Sequence, residues 1–197
     1  MKLGLGTVQF GRAYGITNAA GRPPLPEVRA ILDVARKTGV AVLDTAPEYG
    51  ECENILGRSL SDDDQFAIIT KTPNWQGSPG AGVGDEVVRS LEQSLRDLAQ
   101  DRVAALLVHD AEDLLSPRGP AIWSALEALR QNGRTERIGV SVYTGDQIDH
   151  VLGQYRPDVI QLPVSALDQR LVQSGHVERL HKLGIELHAR SVLLQGV

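Results

Sequence analysis

Short apolar runs alternate with longer segments of helical periodicity along almost the whole of this 197-residue chain. Short apolar runs predict strands, and apolar residues three and four positions apart predict amphipathic helices. Because strands that are separated by helices pair in parallel, the alternation predicts an α/β fold with a parallel sheet. The seven predicted strands are 3–6, 40–43, 66–70, 103–108, 137–140, 159–160 and 185–189.

Helix signals fill most of the intervals between these strands. Pro at a first helical position, Asp as an N-cap and Gly as a C-cap mark several boundaries. We predict a helix from Pro26 to Gly39, a short helix over 54–60, a helix capped by Asp85, a helix ending at Gly133 and a long helix over 167–183. Segments 8–24 and 72–84 are rich in Gly and Pro and are predicted to be loops.

The strand ends distinguish between the two common parallel folds. A doubly wound sheet gathers its site at one switch point, whereas a barrel gathers residues from the carboxyl ends of many strands. Here six predicted strands end in polar residues, namely Asp44, Lys71, His109, Ser141, Gln161 and Arg190. This pattern favours a (β/α)8 TIM barrel in a single domain over residues 1–197. Only seven of the eight strands are found, so we expect a barrel truncated after strand seven.

Composition excludes several classes of function. A net charge of −5 disfavours binding to a nucleic-acid backbone, which requires clustered Lys and Arg. No apolar run reaches membrane-spanning length, and the N-terminus lacks the pattern of a secretory signal. Cys52 is the only cysteine, so neither an internal disulfide nor a Cys-based zinc cluster is expected. We expect a cytoplasmic protein without a nucleic-acid or membrane partner.

Four residues near the ends of strands two, three and four have the chemistry of a general acid. These are Asp44, Tyr49, Lys71 and His109. A phenol has a pKa near 10, and a neighbouring ammonium lowers it by stabilising the phenolate. Asp44 would hold Lys71 by ion pairing, and His109 would hydrogen-bond a carbonyl oxygen. We therefore expect a proton donor aimed at a carbonyl group. Taken singly, each residue has an equally acceptable structural explanation, and His109 with Asp110 is a weak candidate metal pair.

The order of the motifs resembles the aldo-keto reductase family. The matching stretches are LGLGTVQFG (3–11), LDTAPEYGECE (43–53), ITK (69–71), LVHD (107–110), IGVS (138–141), IQLP (160–163) and ARSVLLQG (189–196). The resemblance implies that Asp44, Tyr49, Lys71 and His109 are the catalytic tetrad of a carbonyl reductase. It also implies that Tyr49 donates the proton and that a nicotinamide cofactor, usually NADPH, with NAD also possible, donates the hydride.

The same resemblance assigns the cofactor contacts. They fall on Gly6, Thr7, Ser141, Gln161, Arg190, Ser191 and Leu193. Two positions depart from the family pattern: Val142 replaces an amide residue, and Arg190 stands where many members stack an aromatic ring on the nicotinamide. A guanidinium plane is able to stack there, or to contact a phosphate or an acidic substrate group.

Other features leave alternatives open. Trp75 is expected either to line the substrate pocket or to pack on the barrel rim. Gly80, Gly82 and Gly84 lack the spacing of a dinucleotide fingerprint and are expected to form a flexible loop. Glu48, beside Tyr49, is expected to be solvated. The leading function is reduction of an aldehyde, ketone or sugar-like carbonyl compound. The alternative is a non-catalytic truncated barrel that acts as a binding or assembly subunit.

Overall fold

The computed structural model describes residues 3–61 and 64–194, and these residues form seven strands and nine helices. The strands are β1 (Gly4–Gly6), β2 (Val42–Asp44), β3 (Ala67–Lys71), β4 (Val103–Val108), β5 (Thr135–Ser141), β6 (Val159–Pro163) and β7 (Glu186–Arg190). The helices are α1 (Val8–Gly11), α2 (Leu25–Lys37), α3 (Cys52–Gly57), α4 (Val83–Leu98), α5 (Ala111–Leu115), α6 (Gly119–Gln131), α7 (Gly145–Gln154), α8 (Arg170–Gln173) and α9 (His176–Lys182).

The strands form one curled parallel sheet in the order β1-β2-β3-β4-β5-β6-β7. Each strand therefore pairs with its neighbour in the sequence, as in a (β/α) barrel, and the predicted fold class is confirmed for these seven strands. Within the described residues, β1 and β7 are the two edges of the sheet. Because all strands run the same way, their carboxyl ends gather at one end, which we call the mouth.

Side chains on the two faces of the sheet form two separate cores. The outer face packs against the helices in a large cluster that includes Leu43, Leu106 and Val140. The inner face carries a smaller cluster of Ile69, Ala105, Leu107 and Val159. This division follows from the strand period of two, which sends alternate residues to opposite faces. Burial of each large aliphatic side chain contributes roughly 1.5–3 kcal/mol to folding.

Several helix boundaries differ from the predicted ones. Helix α4 begins at Val83, after Gly82 in a left-handed conformation with φ 78°, so Asp85 lies in the first turn and is not the N-cap. The predicted helix over 167–183 is divided into α8 and α9, because Gly175 takes a φ of 78° between them. Glycine adopts such a conformation without steric cost.

Three helices were not among those predicted, α1, α5 and α7. Helix α1 lies inside the predicted loop 8–24, and its four residues are too few to show a hydrophobic period. Helix α7 begins with a capping box, in which Thr144 accepts from the main-chain N–H of Gln147 and the Gln147 side chain reaches back to Thr144. None of the helices in the described part of the chain has the length and apolar character needed to cross a lipid bilayer.

Candidate active site

Three of the predicted catalytic residues are placed at the mouth by neighbouring strands. Asp44 is the last residue of β2, Lys71 is the last residue of β3, and His109 follows β4 directly. Parallel pairing sets Asp44 opposite Ile69 and Lys71 opposite Leu107, so these ends lie side by side. Tyr49 lies in the turn between β2 and α3, where its main-chain N–H donates to the Ala46 carbonyl at 3.0 Å.

Lys71 and Asp44 form a buried ion pair. The Lys71 side chain is only 1% exposed, and its Nζ donates to Asp44 Oδ1 and, at 2.8 Å, to the Thr45 carbonyl. Burial lowers the pKa of Lys71, but the charge of Asp44, the charge that Tyr49 carries once it ionises, and the hydrogen bonds to both residues outweigh it, so the pKa lies above its ordinary value. Lys71 is therefore a fixed positive charge at neutral pH.

Tyr49 lies next to this ammonium. The Lys71 Nζ is 5.0 Å from the centroid of the Tyr49 ring. Burial raises the pKa of Tyr49 and the charge of Lys71 lowers it, and burial is the larger effect. Lysine thus acts in the expected direction, while the net pKa lies above 10.0 because the half-buried phenol has lost hydration. Tyr49 is consequently protonated at neutral pH, which is the form that a proton donor requires.

His109 faces the same phenol. Its ring meets the Tyr49 ring edge-on, with centroids 6.0 Å apart and an interplanar angle of 82°. Burial, followed by the charge of Lys71, lowers the pKa of His109 below its ordinary value. The ring is therefore neutral at pH 7 and carries one N–H. Its Nδ1 is buried and has no hydrogen-bond partner among the described residues.

Ser141 and Gln161 extend this polar network across the next two strands. The Ser141 hydroxyl donates to Gln161 Oε1 at 3.0 Å, and Gln161 Nε2 donates to Asp44 Oδ2. Both side chains are 3% exposed. Each carboxylate oxygen of Asp44 thus has its own donor. The strand ends bring Ser141 and Gln161 to the mouth, but the bond from Gln161 to Asp44 was not predicted, because 117 residues separate these two partners.

The remaining predicted cofactor residues differ in how accessible they are. Gly6 ends β1, and a Cβ placed on it would meet nothing within 4 Å, so its backbone faces open space. Thr7 is fully buried, and its hydroxyl donates to the Asp44 carbonyl at 2.8 Å. Ser191 takes a left-handed φ of 59°, and Leu193 is 79% exposed.

Arg190, the last residue of β7, stacks on an aromatic residue of this chain. Its guanidinium carbon lies 3.9 Å from the centroid of the Tyr143 ring, and its Nη2 donates to the Val142 carbonyl at 3.1 Å. Tyr143 is 53% exposed and was not predicted as a site residue. An aromatic residue directly after the Ser141 and Val142 strand end was the available signal. The stacked pair lies at the β5 and β7 side of the mouth.

Trp75 is half-buried and packs against the main core. Its main-chain N–H donates to Asp113 Oδ2 at 3.0 Å. Glu48, predicted to be solvated, accepts a hydrogen bond at 2.8 Å from the main-chain N–H of Asn74. Sequence reasoning missed Asp113 entirely, because an acidic residue in a short helical segment gives no sign of being buried.

The candidate metal pair of His109 and Asp110 gains no further ligands. In residues 3–61 and 64–194, no group of three or more His, Cys, Asp or Glu side chains is arranged to hold a metal ion. The Asp110 side chain instead caps α5 by accepting from the main-chain N–H of Glu112 at 3.0 Å.

Proteins with similar sequences include oxidoreductases. The chain is 28% identical to the Escherichia coli oxidoreductase YdhF, in an alignment that covers 100% of this chain and 58% of YdhF. It is 30% identical to a D-galacturonate reductase of Hypocrea jecorina, over 85% of this chain and 60% of that protein. The chain therefore spans a little under two thirds of the length of these relatives.

Solved structures show the same fold. A crystal structure of a Pseudomonas aeruginosa protein described as an aldo-keto reductase matches with a TM-score of 0.79 and 27% identity, covering 95% of this chain and 71% of that one. The Bombyx mori aldo-keto reductase in complex with NADP matches with a TM-score of 0.70 and 25% identity, covering 96% and 62%. The model of the Aldo/keto reductase family matches residues 2–197. The chain belongs to the aldo/keto reductase family, and the resemblance seen in the sequence is confirmed.

Proposed function

We propose that this protein reduces a carbonyl compound to an alcohol with NADPH or NADH, and that Tyr49 is the general acid. One observation carries the proposal: a protonated phenol lies beside a buried ammonium, at the mouth where His109 also lies. Family membership supports an oxidoreductase of this kind.

The reaction needs a hydride for the carbonyl carbon and a proton for the carbonyl oxygen. A reduced nicotinamide supplies the hydride when it is bound. Tyr49 holds the proton on its phenol oxygen and gives it to the carbonyl oxygen as negative charge develops there. The neutral ring of His109 donates its N–H to the same oxygen and orients the carbonyl. Carbonyl, hydride and proton together make the alcohol, and Tyr49 is left as a phenolate.

Lys71 and Asp44 support this proton transfer. The fixed ammonium stabilises the phenolate that forms, so the loss of the proton costs less than burial alone would impose. Asp44 keeps the ammonium in place, and Gln161 and Lys71 keep Asp44 in place through its two oxygens. Because these bonds are made within the protein itself, the charge needs little reorganisation during the reaction.

The residues at the mouth fit the ring end of a nicotinamide cofactor. The open space beside Gly6 leaves room for a flat ring against the backbone. Ser141 and Gln161 supply the hydroxyl and amide chemistry that a carboxamide requires, and Arg190 supplies a flat cation. NADP is the proposed cofactor, with NAD as the other candidate. The NADP complex of the Bombyx mori relative supports this choice.

The proposed substrate is a small aldehyde, ketone or sugar-like carbonyl compound. Relatives named D-galacturonate reductase and L-galactose dehydrogenase support the sugar-like class. The net charge of −5 supports a small-molecule partner over nucleic acid. A cytoplasmic location without a membrane partner is part of the same proposal.

Replacement of the phenol tests the proposal. Purified protein is assayed for NADPH and NADH consumption with a panel of aldehydes, ketones and aldoses, and for cofactor binding by tryptophan quenching. Tyr49→Phe should lower kcat by at least about 10²-fold, the typical contribution of a positioned acid, while cofactor affinity stays within about twofold. Tyr155→Phe is the matched control, because Tyr155 lies outside the mouth and donates only to the Leu114 carbonyl.

The outcomes separate the proposal from its alternative. If the wild-type protein oxidises no reduced cofactor with any carbonyl, and Tyr49→Phe changes nothing, the enzymatic proposal is wrong. A protein that also shows no saturable cofactor quenching of Trp75 or Trp123 would support the binding or assembly subunit instead.

A further inference from the structure

Asp113 is a buried carboxylate that the proposed chemistry does not use. It lies in α5 and is completely shielded from solvent. Its Oδ2 accepts from the main-chain N–H of Trp75 at 3.0 Å, and its Oδ1 accepts from that of Gly77 at 2.6 Å. Placing a carboxylate in a dry site costs free energy unless hydrogen bonds offset it. Both bonds go to one short segment, residues 73–77, which we call the Trp75 loop.

A second carboxylate holds the start of the same loop. Glu48 Oε1 accepts from the main-chain N–H of Asn74 at 2.8 Å. Inside the loop, Asn74 Oδ1 accepts from the main-chain N–H of Gln76 at 2.7 Å. Gln76 has a φ of 54° and Gly77 a φ of 76°, a left-handed pair that is costly for the non-glycine residue. The loop keeps this conformation because four of its main-chain N–H groups have carboxylate or amide oxygens as acceptors.

These anchors belong to the segments that carry the candidate catalytic groups. Glu48 directly precedes Tyr49, and Asp113 follows His109 by four residues. A third link runs from the main-chain N–H of His109 to the Thr72 hydroxyl, at 3.2 Å, just before the loop. The Trp75 loop is therefore tied to the Tyr49 turn and to the segment of His109 at once.

The Trp75 indole has no polar anchor of its own. Its Nε1 is buried and has no hydrogen-bond partner within the part of the chain that the structure describes. The ring packs against the main core, so its position depends on the backbone bonds of the loop. Loss of those bonds would leave only apolar contacts to hold the ring.

We propose that Asp113 is a positioning residue: its two hydrogen bonds hold the Trp75 loop against α5, in the segment that follows His109, while Glu48 holds the loop against the Tyr49 turn, and together they fix the wall of the carbonyl site. Glu48 is the second anchor. The role in substrate binding rests on the proposed carbonyl reduction, whereas the role in holding the loop does not. Asp113→Asn keeps one acceptor oxygen and loses the other. The Trp75 loop should therefore become more mobile while it keeps one hydrogen bond to α5.

Asp113→Asn in a Trp123→Phe background tests the loop directly, because Trp75 is then the only tryptophan. Without substrate or cofactor, Trp75 emission should shift to longer wavelength, acrylamide quenching should increase about twofold or more, and chymotrypsin should cut the loop at least about tenfold faster. Asp110→Asn is the matched control: it lies in the same segment and caps α5 but does not contact the loop.

In turnover assays, Asp113→Asn should raise KM for a bulky aromatic aldehyde about tenfold and for a three-carbon aldehyde about twofold or less, with kcat changed less than KM. Unchanged Trp75 emission and proteolysis in folded Asp113→Asn would overturn the inference. So would equal KM changes for the two aldehydes. If Asp113→Asn fails to fold, Glu48→Ala takes its place and should give the same fluorescence change. A wild-type protein inactive on all carbonyls would overturn the proposed function only, because the fluorescence and proteolysis need no turnover.

Discussion

Removing the charge of Asp44 should destabilise the protein more than removing the charge of Lys71. Asp44→Asn leaves an ammonium that is 1% exposed with the Thr45 carbonyl and an amide oxygen as acceptors but without a carboxylate to balance its charge. Loss of one partner of a buried ion pair costs roughly 3–5 kcal/mol. Because the Asp44 side chain is 22% exposed, the lower end applies, about 3 kcal/mol. For a chain of this size, that corresponds to a fall in Tm of about 6–12 °C.

The reverse replacement leaves a less isolated charge. In Lys71→Met, Asp44 keeps the donor of Gln161 and its partial contact with solvent. We expect this variant to lose less stability than Asp44→Asn. The double variant should be more stable than Asp44→Asn by about 1–2 kcal/mol, because a buried ion pair replaced by neutral groups leaves no unpaired charge.

Urea denaturation of the four proteins at pH 7, followed by circular dichroism, measures these free energies. A double-mutant cycle then isolates the coupling between the two residues. The reasoning is refuted if Asp44→Asn costs less than about 1 kcal/mol, or if the double variant is no more stable than Asp44→Asn.

Two further predictions concern Glu53 and Gly11, which lie near the Lys71 and Asp44 ion pair and the Tyr49 turn. Burial raises the pKa of Glu53 above 4.5, so its contribution to stability is present below pH 4.5 and is lost as the pH rises through the raised pKa. Thermal unfolding from pH 4 to 7 should therefore show the Tm of Glu53→Gln rising relative to that of the wild type as the pH rises. A Tm difference that stays constant over this range would contradict the prediction. In Gly11→Ala, the new Cβ would lie 1.7 Å from the Tyr49 carbonyl oxygen, so we expect a loss of about 3 kcal/mol and a displaced Tyr49 turn. Gly80→Ala, with nothing within 4 Å, is the control and should change stability by less than about 0.5 kcal/mol in the same denaturation assay.

The sequence predicts those parts of the site that are set by local pattern. An apolar run followed at once by Asp44, Lys71 or His109 indicates both a strand and its functional end, and parallel pairing then brings the ends together. The strand order follows from the regular alternation with helices. A helix boundary that depends on one glycine with a positive φ, such as Gly175 between α8 and α9, was missed because apolar residues continue on both sides of the glycine.

Properties that depend on distant partners were not predictable in this way. The net pKa of Tyr49 depends on how much water the folded chain removes, and burial exceeds the effect of Lys71. Nothing in the local sequence distinguishes Asp113 and Glu48 from acidic residues exposed to solvent. Their hydrogen bonds to the Trp75 loop form only when the chain folds. Tyr143 had a local signal in its position after a strand end, but its stacking on Arg190 joins two strand ends 47 residues apart and was not predictable locally.

The inner apolar cluster sets the direction from which protons can arrive. Ile69, Ala105, Leu107 and Val159 have no exposed surface and lie beneath the ion pair on the inner face of the sheet. They carry no polar side-chain atoms, so this layer offers water molecules no side-chain hydrogen-bond partners. If Tyr49 is the proton donor as proposed, each proton that it gives up is replaced from bulk solvent on the ligand side. A bound ligand that seals that side would then delay reprotonation of the phenol until the ligand departs.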